Sequence, residues 1–255
     1  MNQFFSFKRF SLLVSKHWAE NRTRYCLSML ALLGLLIAWF LFHLMLCEPR
    51  RIMLDVQQIS YFFPLFILGS YFANQQFRDL RSNVNGSNFL LLPASTFEKL
   101  LVILLFSVIM FFIVLTATFY LADILMVYIA NTFFETNDPA LKSYVVNVFT
   151  FNFLMFASDF KLNFIVLFFV VQSVFLLGAV HFKKYSFLKT FITGFVYLIL
   201  FSLVFFIYRQ LPGGERLDRN LKLPGWIAPL FYFVLYTIPP ILWIVTYYRL
   251  KAKQV

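Results

Sequence analysis

Apolar residues along this chain gather into runs about as long as a bilayer crossing, which takes roughly 20 residues of helix. Six such runs occur: Tyr25 to Cys47, Val56 to Phe77, Leu100 to Ala130, Leu162 to Val180, Phe191 to Tyr208 and Trp226 to Tyr248. The pattern predicts an all-α integral membrane protein with six transmembrane helices. The third run is 31 residues long and exceeds one crossing. It predicts either one long tilted helix or a helix that stops near Thr118 and folds back. Pro64 in the second run and Pro229, Pro239 and Pro240 in the sixth predict kinks.

The polar stretches between the runs differ in kind. Residues 1–24 form no span, but at about 100° per residue Phe7, Phe10, Val14 and Trp18 fall on one side while Arg9, Lys16 and Glu20 fall on the other. This predicts an amphipathic elbow helix lying in the membrane interface, followed by a six-helix domain over residues 25–255. A plain basic leader that only sets orientation is the alternative. The loop at 78–99 opens after Phe77 with Arg78, Asp79, Leu80 and Arg81, turns at Asn83, Asn85 and Gly86, and ends in an apolar patch stopped by Pro93. Ser95 followed by Glu98 has the spacing of a capping box that opens the third span. An apolar patch in such a loop needs a surface to cover it, either membrane or a partner protein. The segment 131–161 predicts a membrane-hugging external helix or a small external cap. Residues 209–225, with Pro212, Gly213, Gly214 and four basic residues, read as a connector or as a site for an anionic headgroup.

Composition makes a soluble fold untenable. Hydrophobic residues are 61% of the 255 and charged residues 13%, with 37 Phe, against about 45–50% and 25% in soluble domains. The formal net charge is +11, and its distribution sets orientation. The amino terminus, the loops at 78–99 and 181–189 and the carboxyl tail hold 14 basic and three acidic residues. The opposite loops hold eight and seven. Both termini are therefore expected in the cytoplasm. The first apolar run is span-length, so no cleavable signal is expected. Cys26 and Cys47 close the two ends of one run, about 30 Å apart if helical, too far to bridge.

The chemistry absent from the sequence narrows the function. No phosphate-binding loop, H-E-x-x-H or G-x-S-x-G occurs, and neither cysteines nor histidines have metal-ligand spacing. Asp123 is the one acid inside an apolar run. It reads either as a cation or proton site or as a residue near the outer interface. Asn74 and Gln75 at the inner end of the second run and Gln172 in the fourth are the other intramembrane polar candidates. Such residues commonly make helix–helix hydrogen bonds of around 1 kcal/mol.

The elbow, the six spans and the loop passing through Leu92-Pro93-Ala94-Ser95 to Glu98-Lys99 together resemble the permease subunits of the ABC-2 class of ABC transporters, in the compact form found in Bacteroidota. The resemblance covers the chain by topology and only the elbow and the 77–99 loop by motif. It implies a type V ABC transporter fold in a bacterial inner membrane, with two permease chains as a homodimer or related heterodimer. It also implies two separate ATPase subunits, which hold the ATP and magnesium. Phe7 to Glu20 would be the elbow, and Arg78, Asp79, Leu80 and Arg81 would lie in or near the coupling helix. Leu92, Pro93 and Ser95 would match the family's lead into the third span. The 209–225 segment is more basic than the family's external region. The chain itself would be neither an enzyme nor a cofactor carrier. Export driven by those ATPase subunits is the expected activity, and the abundance of Phe with little buried charge argues for an amphiphilic or lipid-like cargo or for a path too narrow to hold water. Two other classes stay open: a scaffold or sensor that couples to an ATPase without moving cargo, and a small lipid enzyme using Asp123 and the 209–225 loop.

Overall fold

The structure is a computed structural model. It describes residues 5–46, 52–77, 94–133, 142–150, 152–154, 161–182, 184–210 and 227–253. The chain is helical: α1 spans Phe7–Leu46, α2 Leu54–Gln75, α3 Thr96–Leu104 and α4 Phe111–Phe133. A π-helical turn at Leu105–Met110 joins α3 to α4 without a break. Further on, α5 spans Phe164–His181, α6 Ser186–Gln210 and α7 Ile227–Ala252. A short antiparallel pair precedes α5, with β1 (Asn152–Leu154) and β2 (Lys161–Asn163) in the register Asn152 to Asn163.

Among the described residues four helical stretches are long and apolar enough to cross a membrane: Phe7–Leu46, Thr96–Phe133, Phe164–His181 and Tyr232–Ala252. The chain is a multi-pass helical membrane protein. Helices α2 and α6 have 22 and 25 residues, the length of a crossing. The ends of α2 are more polar than the other spans, with Asp55, Gln57 and Gln58 at one and Asn74 and Gln75 at the other.

The third apolar run is one helix. Through the π turn it continues from Thr96 to Phe133, 38 residues, so no fold-back occurs at Thr118. Pro64 lies inside α2, and Pro239 and Pro240 inside α7, with the helix continuous on both sides. The elbow and the first span also form a single helix, the 40 residues of α1. At 1.5 Å per residue that is about 60 Å, twice the hydrocarbon thickness. A helix with no break between residues 24 and 25 lacks the sharp turn that an interfacial elbow needs. Within the expected external segment, α4 runs on to Phe133, and residues 142–147 have no regular secondary structure before a 3-10 turn at Val148–Thr150.

The chain divides into two compact units. The first comprises Met1–Gly69 and Phe97–Phe151. Its helix directions follow from contacts along their lengths. Arg9 meets Glu98, His17 meets Phe106, and Phe40 meets Phe119, so α1 runs parallel to α3–α4. Gln57 meets Asp123 and Tyr61 meets Thr116, so α2 runs antiparallel to α4. The core of this unit holds Phe40, Leu44, Tyr61, Leu65, Phe119 and Met126, all buried.

The second unit comprises Ser70–Thr96 and Asn152–Val255. Just before α6, Tyr185 stands in the left-handed region at φ 52°. Phe169 packs edge-on to Trp243, and Lys253 reaches the carbonyl of Val180, so α7 runs parallel to α5. Gly178 on α5 lies so close to α6 that a Cβ there would overlap the Thr190 side chain, 1.9 Å from its Oγ1. That close approach, typical of small residues between membrane helices, sets the α5–α6 pairing.

Candidate functional site

The residue with the strongest claim to a functional role in the first unit is Glu98, in the first turn of α3. Helix α1 starts with Ser6 just outside it and with Phe5 packed on Phe10 at 5.9 Å between ring centres. That is a hydrophobic staple across the helix start. Phe97 packs edge-on against the same Phe5. The neighbouring Glu98 then turns its carboxylate onto the end of α1. Its Oε1 accepts the Ser6 backbone N–H at 2.7 Å and the Arg9 guanidinium at 3.0 Å from Nη2 and 3.3 Å from Nε. Glu98 is fully buried, and Lys99 beside it is buried too. Placing an anion against a helix amino terminus and a cation offsets the cost of burying it. The start of α1 and the start of α3 are thereby joined by one carboxylate.

This joint reorders the expected faces of α1. Arg9 lies on the packed side with Phe10, Leu13, Val14 and His17, whereas Phe7 is 76% and Trp18 44% exposed. Arg9, expected on the polar face, is instead drawn inward by Glu98, and Phe106 lies tilted against His17 with 4.4 Å between ring centres. Lys16 stays on the exposed face and pairs with Glu20 at 3.7 Å, a contact of small energetic weight. His17 also shares a 2.8 Å hydrogen bond with the Tyr25 hydroxyl. The π turn that presents Phe106 is a departure from α-helix of the sort often found at functional positions.

Of the remaining loop candidates, Phe77 is buried and Ser95 directly precedes the first residue of α3, where a cap belongs. Arg78, Asp79, Leu80, Arg81, Leu92 and Pro93 lie outside the described residues, as does the 209–225 loop apart from Arg209 and Gln210 at the end of α6.

The intramembrane polar candidates separate into distinct settings. Asp123 is fully buried, and its two oxygens accept Gln57 Nε2 at 2.8 Å and the Val146 N–H at 3.3 Å. Gln57 also donates to the Tyr144 carbonyl at 2.9 Å. Asn131 exchanges two hydrogen bonds with Ser143, whose hydroxyl accepts the Ile52 N–H at 2.9 Å. Tyr120 holds the Val148 N–H. Asp123 therefore fastens the 143–148 strap across α2 and α4. Asn74 donates to Ser186 Oγ at 2.9 Å, and Ser186 donates to the Gly178 carbonyl, which ties α2's end to the α5–α6 turn. Gln172 is enclosed in α5, and neither amide atom has a hydrogen-bond partner among the described residues; the same holds for Gln75 Oε1. No group of three or more His, Cys, Asp or Glu residues able to hold a metal ion occurs among the described residues.

Sequence reasoning reached Glu98, Asp123 and Asn74 but not their partners Arg9, Gln57 and Ser186. The Phe5–Ser6–Phe10 spacing is a staple-and-cap signal that places the start of α1. No local pattern connects it to a carboxylate 92 positions away.

No family model matches the chain, and neither curated proteins nor solved structures show a significant match.

Proposed function

We propose that the chain is the transmembrane permease subunit of an ABC-2 type ABC transporter, exporting an amphiphilic or lipid-like substrate. On this reading it has six spans, a type V fold and both termini in the cytoplasm of a bacterial inner membrane. It works as a homodimer or related heterodimer with separate ATPase subunits that bind ATP and magnesium. The observation that carries the reading is the Glu98 joint. A push received by the 78–95 loop reaches α3 through the chain, and Glu98 delivers it to α1 at the same moment. Parallel α1 and α4 with antiparallel α2, and parallel α5 and α7, are the directions that alternating spans one to six would take.

A chain that moves with an ATPase and transports nothing, as a scaffold or sensor, would use the same joint. The two readings part on cargo flux. The docking loop is tested with Arg78→Glu combined with Arg81→Glu. That pair of changes is expected to detach the ATPase while insertion and folding stay intact. Unchanged ATPase binding would remove the loop from the mechanism.

A further inference from the structure

The described residues of the second unit contain no Asp or Glu, yet cations converge at one of its ends. Lys184 lies in the α5–α6 turn, Lys189 in the first turn of α6, and Arg249 and Lys251 in the last turn of α7; all four are exposed. Lys253 Nζ donates to the Val180 carbonyl at 2.6 Å, which fixes the end of α7 beside the turn that carries Lys184. Lys189 sits 5.8 Å over the Phe182 ring. By contrast, the first unit sets Glu98 and Glu20 against its own Arg9 and Lys16.

The surroundings of these cations favour one partner. Tyr185 and Tyr248 stand beside them at 77% and 63% exposure, the placement of aromatics at headgroup depth. Immediately along the same helices, Phe191, Ile192, Ile244 and Val245 are exposed apolar surface. Cations that begin where a lipid-facing surface ends stand at the level of phospholipid phosphates. We infer that this end of the second unit is a binding surface for anionic phospholipid headgroups, held by Lys184, Lys189, Arg249 and Lys251. Lys253 acts in it as the clip that brings α7 to the turn.

The test uses the full chain in a neutral detergent, titrated with phosphatidylglycerol or phosphatidylcholine and followed by thermal unfolding. Phosphatidylglycerol is expected to raise the unfolding temperature at concentrations at least tenfold below phosphatidylcholine, with the preference lost in 0.5 M salt. Each cation removed should weaken that preference by about fivefold, so K184Q/K189Q/R249Q/K251Q should abolish it while unfolding in phosphatidylcholine stays unchanged. The matching change in the first unit, K8Q/K16Q/R22Q/R24Q, should leave the preference in place. If the fourfold variant does not fold, the single substitutions decide, each expected to show its own loss. Overturning results are a wild-type chain without the preference, variants that keep it, or an oligonucleotide that stabilises the chain as well as the lipid does.

Discussion

Arg9 and Glu98, 89 positions apart, meet at 3.0 Å, and the carboxylate oxygen that receives the guanidinium also receives the backbone N–H of Ser6. Glu98 is buried while Arg9 is partly exposed. Loss of the cation therefore takes one partner from a buried charge that keeps the Ser6 backbone N–H and the helix end. Arg9→Ala should cost about 2–3 kcal/mol, at or below the low end of the roughly 3–5 kcal/mol for a broken buried pair, because solvent screens Arg9. Combining it with Glu98→Gln should recover much of that loss, since the uncompensated charge is gone. A double-mutant cycle by thermal unfolding in detergent measures the coupling; additive losses would mean the pair is not coupled.

Asp123 is expected to act on the strap. Asp123→Ala takes the acceptor from one Gln57 N–H, which keeps its bond to the Tyr144 carbonyl, and from the Val146 N–H, at about 1–3 kcal/mol. Limited proteolysis should then cut within 142–149 at a protease concentration that leaves the wild type whole. Asp123→Asn keeps one carbonyl acceptor and should lie between the two. A strap equally resistant in Asp123→Ala would contradict the clamp.

Gly178 faces Thr190 at a distance no Cβ tolerates. Gly178→Ala should destabilise the α5–α6 pair by roughly 1–3 kcal/mol, as overpacking does. Thr190→Ala removes the two atoms nearest the new Cβ and should restore part of the loss when the changes are combined. Equal unfolding temperatures for Gly178→Ala and wild type would show that the helices separate freely there.

Tyr185 holds φ at 52°, a conformation that costs an L-residue roughly 1–2 kcal/mol. Tyr185→Gly should be neutral or slightly stabilising, and Tyr185→Val clearly destabilising, by the same unfolding measurement. Loss of stability in the glycine variant would show that the ring's contacts outweigh the backbone strain.

Helix positions were legible in the sequence because apolar length alone dictates them, and Phe164–His181 lies within two residues of the run Leu162 to Val180. The ends were less so. Which side Arg9 takes depends on Glu98, a residue of another helix. The periodicity of residues 7–20 carries no sign of it and places Arg9 with Lys16 and Glu20 on the polar face. Asp123 was visible as an anomaly, but its meaning rests on Gln57 and on a strap of unremarkable composition. Long-range polar pairing of this kind is decided by packing, which single-chain patterns do not encode.

The central claim is that this chain works with a separate ATPase. The most direct measurement purifies the tagged full chain from its native membrane in mild detergent, and records the mass of co-eluting proteins and ATP hydrolysis together. The account predicts a stoichiometric soluble ATPase of roughly 25–35 kDa, the size of one compact domain or two small ones, with hydrolysis following it through the column. A chain that elutes alone under these gentle conditions, with no hydrolysis, would contradict it.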